Sequence, residues 1–273
     1  MKNLPRRPSE SRSVIKLKSP REIALMREAG RVVAKALDQV QRMAVPGVTT
    51  SDMDEAVAAI FREHNAIPLF RGYPNSTKGK PAFPANICAS VNEAVVHGIP
   101  NRRPLQAGDV VSIDTGCKVN GWCGDAAVTL AIGEVRPEVQ KLLEVTKATL
   151  ELSIRAMARC QMWSEVAALM EKYVKSQGMY VIEKFVGHGI GQSMHEEPQV
   201  PNFISAALRK NDIRLEPGIV LAIEPMVALG TKNVDTLKDH WTVVTKDRRA
   251  SAHFEHTVAM TPEGPRVLTY LED

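Results

Sequence analysis

Two aspartates stand where a β-hairpin ordinarily disfavours them. The stretch VVSIDTGCKVNGWCGDAAVTL, beginning at Val110, carries Val, Ile and Thr in both arms and Asn120-Gly121 where a tight type I′ turn would fall. Asp114 and Asp125 interrupt those arms, although aspartate is depleted in strands and an unpaired buried carboxylate is costly. With Asn120 and Gly121 as a two-residue loop, Val119 faces Trp122 and Asp114 faces Ala127. Asp125 then lies on the face of Asp114, one diagonal step away, where Cα atoms are about 7–8 Å apart. Two carboxylates so placed can converge on one point, and divalent cations there would compensate their charge. For this segment alone, a surface hairpin with two solvated aspartates is the alternative.

The second half supplies more groups of the same kind. Glu224 ends the apolar run of VLAIEPMV, and Glu255 sits inside AHFEHTVAM; an ion pair with a lysine or arginine would explain either one alone. His188 and His195 lie in FVGHGIGQSMHEEPQ, among glycines that permit close backbone approach to a ligand. A lone histidine is more often a hydrogen-bonded structural residue. Taken together, two aspartates, two glutamates and a histidine form an oxygen-rich set suited to a pair of hard or borderline divalent ions. Two metals about 3.5–4 Å apart are a known arrangement in aminopeptidases.

These residues must be positioned by a framework that the periodicity outlines. Ser19 as N-cap, Pro20 at the first helical position and Glu22 closing a capping box start a helix that Pro46-Gly47 ends. A second helix is expected from a Ser51 cap through DEAVAAIFREHNA. After a loop-rich stretch, ICASVNEAVVHGIP and the aspartate hairpin, the order repeats. EVQKLLEVTKATLELSIRAMARC and SEVAALMEKYVKSQG read as helices. Strand-like VIEKFVGHG, GIVLAIEPMVALG, WTVVTKD and AHFEHTVAM follow. Two helices followed by strands, twice over, predict two pseudo-symmetric α/β halves packed face to face.

Bulk properties bound the function. The 273 residues, 44% hydrophobic and 24% charged, describe a soluble globular protein with a substantial core. Apolar runs such as GIVLAI are far shorter than the ~18 residues of a membrane span, and the N-terminus lacks the apolar core of a secretory signal. Cys88, Cys117, Cys123 and Cys160 show no CxxC spacing, and Cys117 and Cys123 fall on opposite hairpin faces; a reduced, cytoplasmic protein is expected. The net charge of +4 is uneven. Seven basic and two acidic residues in the first 22 give +5 there, leaving −1 for the remainder. Residues 1–18 are therefore expected to form a basic, flexible extension, which could touch RNA or another acidic surface or simply stay solvated.

Over nearly its whole length, from about Ser19 onward, the chain resembles a known family. HGIP, the IDTG…GD pair, GHGIG…HEEPQVPNF, EPMV, KDHWTVVTKD and FEHT occur in the order found in type I methionine aminopeptidases. The resemblance implies one catalytic domain over 19–273 with the pita-bread α/β fold, an antiparallel sheet flanked by helices in two pseudo-symmetric halves. It implies two divalent metal ions (iron, manganese, cobalt or zinc), with Asp114 on one, His188 and Glu224 on the other, and Asp125 and Glu255 bridging both. A hydroxide between the metals would attack the first peptide bond, and Glu224 would pass a proton to the leaving amine. His195 would hydrogen-bond the scissile carbonyl region, and His97 would position the adjacent peptide nitrogen. Phe70, Tyr73, Phe83, Cys88, Met194 and Trp241, joined by His97, would line an apolar pocket suited to a thioether; core packing is the alternative for most of these. The implied substrates are nascent polypeptides and peptides beginning with methionine, preferring a small second residue. A monomer is expected, with ribosome contact through the basic tail.

Three departures from the family pattern stand out. PNSTKGKPA, between Tyr73 and Phe83, looks like an insertion, which bears on the assignment of Phe70 and Tyr73. Met194 replaces a frequent phenylalanine, and Cys123 replaces a frequent histidine before the Gly-Asp pair. There is no N-terminal cysteine cluster of the zinc-binding kind. Two rival readings are a proline-specific peptidase, whose members usually carry a further N-terminal domain, and a non-catalytic binding protein of the same fold, whose members typically lose metal ligands.

Overall fold

The computed structural model describes residues 15–271. The first fourteen residues of the expected basic extension, and any ribosome contact made there, lie outside this range. At Lys18 the chain already packs on the body. Its N–H donates to the Gly218 carbonyl at 2.7 Å, and its buried ammonium pairs with Glu196 at 2.8 Å.

Helix α1 (Pro20–Met43) starts at the Ser19 capping box as expected. Helix α2 (Thr50–Glu63) is capped by Thr49, not by Ser51. Thr49 Oγ1 accepts from Asp52 N, and the Asp52 carboxylate reaches back to Thr49 N at 3.0 Å. Because Asp52 can close this reciprocal pair only with a residue three positions earlier, the helix begins before Ser51. Helices α3 (Pro137–Met157) and α4 (Trp163–Ser176) occupy the second half.

The aspartate hairpin, Val110–Val119 with Trp122–Ala131, has the expected register: Val119 faces Trp122 and Asp114 faces Ala127. Asn120 and Gly121 both have positive φ, 50° and 82°, as a type I′ turn requires. Cys88–Val91 and Ile67–Pro68 extend this sheet along Val110–Val119. In the second half, Val220–Ile223 lies between His256–Thr261 and Gly187–Gly189 in a five-stranded antiparallel sheet.

Each half has its own apolar core. Val33, Val57, Phe61 and Ile113 pack in the first, and Leu142, Trp163, Met170 and Leu221 in the second. The halves are joined strand to strand. Glu255 N donates to Ala127 O at 2.9 Å, Thr257 Oγ1 donates to Asp125 O at 2.8 Å, and Thr129 Oγ1 donates to His253 O at 2.7 Å. The seam therefore runs through the residues expected to do chemistry.

Helix α1 seats directly against the hairpin backbone. A Cβ on Gly124 would lie 2.7 Å from Gly30 N, and one on Gly30 would lie 2.1 Å from Leu268 O. Such contacts are too short for any side chain, so both positions need glycine. Gly124→Ala is expected to lower stability by ~1–3 kcal/mol through overpacking. That loss corresponds to a fall of several degrees in the thermal midpoint. An unchanged melting curve would rule out this close contact.

Candidate metal centre and its cavity

The strands break where the acidic residues stand. The single strand expected over GIVLAIEPMVALG is two, Val220–Ile223 and Met226–Ala228, separated by Glu224-Pro225. AHFEHTVAM likewise divides into Ser251–His253 and His256–Thr261 around Phe254-Glu255. Proline lacks the N–H needed to continue a ladder. At both breaks the chain passes from one sheet to another, which turns the glutamates toward the interior. The glycines beside His188 are required by strand packing. A Cβ on Gly187 would meet Ala222 O at 2.3 Å, and one on Gly189 would meet Glu197 O at 2.2 Å. They let three strands press together and so fix the His188 strand.

The expected ligands converge. One ligand atom each from Asp125, His188 and Glu255 lies within 4.8 Å of the others. His188 Nε2 is 4.0 Å from Asp125 Oδ2 and 3.8 Å from Glu224 Oε1. Asp114 lines the same cavity as these four residues. Asp114 Oδ1, Asp125 Oδ1 and Glu255 Oε1 are buried without any hydrogen-bond partner. Four carboxyls in one buried place, three with orphaned oxygens and, among the described residues, no lysine or arginine bridged to them, form an arrangement that bound cations compensate well. The donor set fits divalent metal: hard oxygens with one imidazole.

The electrostatics agree. Burial pushes the carboxyls of Asp114, Asp125 and Glu255 well above the usual range, reinforced by their mutual repulsion. Burial alone carries Glu224 up to about 8. His188 is driven down to about 4, chiefly by burial with help from His195. It is thus neutral at ordinary pH, with Nδ1 beside Gly189 O at 2.9 Å and Nε2 turned to the carboxylates.

The cluster forms part of the wall of a cavity of about 700 Å³. All the residues assigned to the pocket line it: Phe70, Tyr73, Phe83, Cys88, His97, Met194, His195 and Trp241. Phe70, Phe83, Cys88 and Met194 form one buried apolar cluster with Tyr73 and Trp241 packed against it. Phe70 and Tyr73 therefore reach the pocket despite the insertion that follows them. Cys123 turns away from it, toward Gln192 O at 3.6 Å.

His195 stands edge-on to His188, ring centroids 4.3 Å apart, and its Nδ1 is 2.7 Å from the Tyr73 hydroxyl. The loop carrying it is held by Glu196, which accepts from Ser193 N at 3.2 Å and from buried Lys18. His97 has a left-handed backbone, φ 59°, uncommon for a residue other than glycine, and its ring meets Phe185 and Trp241 edge-on. Gly98 explains the invading backbone of HGIP, since a Cβ there would lie 2.2 Å from Ala89 O.

Among the cavity residues outside the sequence reading is a third histidine of the acidic wall. His253 is 2% exposed, with Nε2 3.6 Å from Glu224 Oε2. Burial lowers it to about 3. It precedes Glu255 by two residues, the spacing that repeats a strand face, and that periodicity was the available signal.

The model of metallopeptidase family M24 matches residues 24–262, and the chain belongs to that family. It is 42% identical over 252 residues to methionine aminopeptidase 1 of Bacillus subtilis, covering 92% of this chain and 98% of that protein. To the methionine aminopeptidase of Clostridium acetobutylicum it is 43% identical over 260 residues, covering 95% and 100%. The crystal structure of methionine aminopeptidase from Thermotoga maritima superposes with a TM-score of 0.88 at 39% identity, covering 94% of this chain and all of that one. Prolidase from Pyrococcus furiosus, 18% identical with a TM-score of 0.71, shares the fold. The expected pita-bread architecture is the observed one.

These carboxyls titrate higher in the folded state than in the unfolded chain, so the metal-free fold holds protons that the unfolded chain releases. Their contribution is intact at low pH and is lost as pH rises toward the folded values. The depressed histidines act oppositely, but only below their ordinary value of about 6.5. From pH 7 to 8, through the Glu224 value of about 8, the metal-stripped protein should lose stability. Added manganese should therefore raise the thermal midpoint more at pH 8 than at pH 7. Equal shifts at both values would count against the carboxylates as the binding groups.

Proposed function

We propose that this chain removes the N-terminal methionine from nascent proteins and peptides in a metal-dependent reaction, with a preference for a small second residue. The observation that carries the reading is one cavity with two unlike walls. A buried carboxylate–histidine cluster with orphaned oxygens faces an apolar cluster of Phe70, Phe83, Cys88, Met194 and Trp241. A methionine side chain seated against the aromatic and sulfur-bearing wall brings the first peptide bond beside the acidic wall.

Asp114, Asp125, His188, Glu224 and Glu255 would hold two divalent ions, with Asp125 and Glu255 shared between them. Iron, manganese, cobalt and zinc all suit these donors. When bound, such ions polarise the scissile carbonyl and lower the pKa of a water nucleophile. The remaining roles belong to the protein. If the Tyr73 hydroxyl donates to His195 Nδ1, the proton of the neutral imidazole stays on Nε2, where it can be donated to the carbonyl oxygen as charge grows. His97, kept neutral by burial at about 4, is suited to orient the neighbouring peptide N–H. Glu224, whose carboxylate stands 3.8 Å from His188 Nε2 at the edge of the cluster, is suited to take a proton and hand it to the departing amine. The four cysteines are free thiols, which accords with a reducing, cytoplasmic setting. The +5 charge of the first 22 residues favours transient contact with ribosomal RNA.

Chelator-stripped protein should lose cleavage of Met-Ala-Ser and regain it on adding manganese or iron(II). In the reloaded protein, Glu224→Gln should lower kcat by ~10²–10⁴-fold. His195→Ala should lower it by ~10²–10³-fold with little change in KM. Preferential cleavage of X-Pro dipeptides would overturn the methionine reading in favour of a proline-specific peptidase. Folded protein inert with every metal would overturn the enzymatic one.

A further inference from the structure

The segment 74–82, which the sequence marks as an insertion, bridges the mouth of the cavity. Its base is closed by Gly72 N donating to Phe83 O at 2.8 Å and Phe83 N donating to Tyr73 O at 2.9 Å. Its two arms are then tied to the turn at 239–241 from the opposite half. Asn75 Nδ2 donates to His240 O at 3.0 Å, and Trp241 Nε1 donates to Pro81 O at 2.9 Å. That turn is itself stiffened, because Asp239 Oδ1 accepts from Trp241 N and Thr242 N, each at 2.9 Å. Within the loop, Thr77 N donates to Asn75 Oδ1 at 2.9 Å, which orients the Asn75 amide toward His240. Pro74 to Thr77 line the cavity across from Thr236 and His240. The hydroxyls of Ser76 and Thr77 are exposed and make no side-chain hydrogen bond among the described residues.

A peptide whose first residue fills the apolar end must leave through this mouth. We infer that the 74–82 loop is a second recognition surface, which binds the substrate chain at its second and third residues through the free hydroxyls of Ser76 and Thr77. The inference rests on the reading of the cavity as an N-terminal methionine site. An extended peptide exposes unpaired amide and carbonyl groups at each residue, and hydroxyls that both donate and accept can meet either one. The ties to His240 and from Trp241 hold those hydroxyls in place before the peptide arrives, so little ordering remains to oppose binding. The segment thus sets how much of the chain beyond the cut contributes to affinity.

Two substrates separate this function from a purely structural one. Methionine p-nitroanilide offers the first residue and a chromophore, whereas Met-Ala-Ser-Lys offers three residues beyond the cut. In the manganese-loaded protein, Ser76→Ala with Thr77→Val should raise KM for the tetrapeptide about 3- to 10-fold per lost hydrogen bond, with kcat and the anilide kinetics within about twofold of the unaltered chain. Both side chains are exposed, so the fold should survive, and an unchanged thermal midpoint checks this. Asn75→Ala, which releases one tie, should shift the tetrapeptide KM in the same direction. Equal losses on both substrates would mean that the loop only supports the pocket, and no loss on either would mean that it decorates the surface; each overturns the inference. Failure of the unaltered, metal-loaded protein to cleave either substrate would instead remove the methionine reading on which it rests.

Discussion

The structure is organised around an electrostatic debt: four carboxyls gathered where water is largely excluded. Asp114 and Asp125 come from one hairpin, Glu224 and Glu255 from two strand breaks in the other half. Like charges at this spacing disfavour one another, and burial disfavours each of them again. No lysine or arginine is bridged to them among the described residues; the nearest partners are the imidazoles of His188 and His253. The fold must therefore hold the cluster together by other means, and the seam between the halves does so. Thr257 bonds the Asp125 backbone, Glu255 and Ala127 form a bridge, and Thr129 bonds His253. Each joint lies within two residues of a carboxylate or imidazole of the site, so the bonds that join the halves also fix its geometry.

The surrounding elements can be read as bracing for that seam. Gly30 and Gly124 let α1 sit on the hairpin backbone, and Gly187 and Gly189 let three strands close around His188. Asp54 on α2 accepts from Asn86 N at 2.7 Å and Ile87 N at 3.0 Å, fixing the approach to Cys88 at the pocket wall. The ion pair from Lys18 to Glu196 does the same for the His195 loop. A buried pair of this kind adds little net stability, yet breaking it is costly. Its value here is positional, since Glu196 follows His195 directly.

The proposed function rests on the contrast between the two walls of the cavity. The acidic wall is suited to bind cations and activate a nucleophile; the apolar wall is suited to select a long, polarizable side chain. Family membership and the similarity to methionine aminopeptidases at about 40% identity agree with that division. The loop at 74–82 adds a second junction, a bridge over the mouth of the cavity that ties the two halves together.

Local chemistry was enough to read the hairpin. Its turn needs positive φ at two positions, which Asn120-Gly121 supplies, and a turn of fixed length sets the register and hence the shared face of Asp114 and Asp125. Helical periodicity located all four long helices, with Thr49 in place of Ser51 as the cap because Asp52 completes a box only with Thr49. The motif order pointed to the five expected ligands and the pocket residues. Only the tertiary structure decided that the two glutamate-bearing strands break at Glu224-Pro225 and Phe254-Glu255, that the glycines beside His188 serve strand packing, that His253 enters the cavity, and that the insertion ties itself across the mouth. Two of these features, the seating of His253 and the tie across the mouth, depend on contacts between residues more than a hundred positions apart, from Thr129 to His253 and from Asn75 to His240. A local pattern carries no signal for such distances, because the partner that satisfies each group is chosen only when the two halves close on one another.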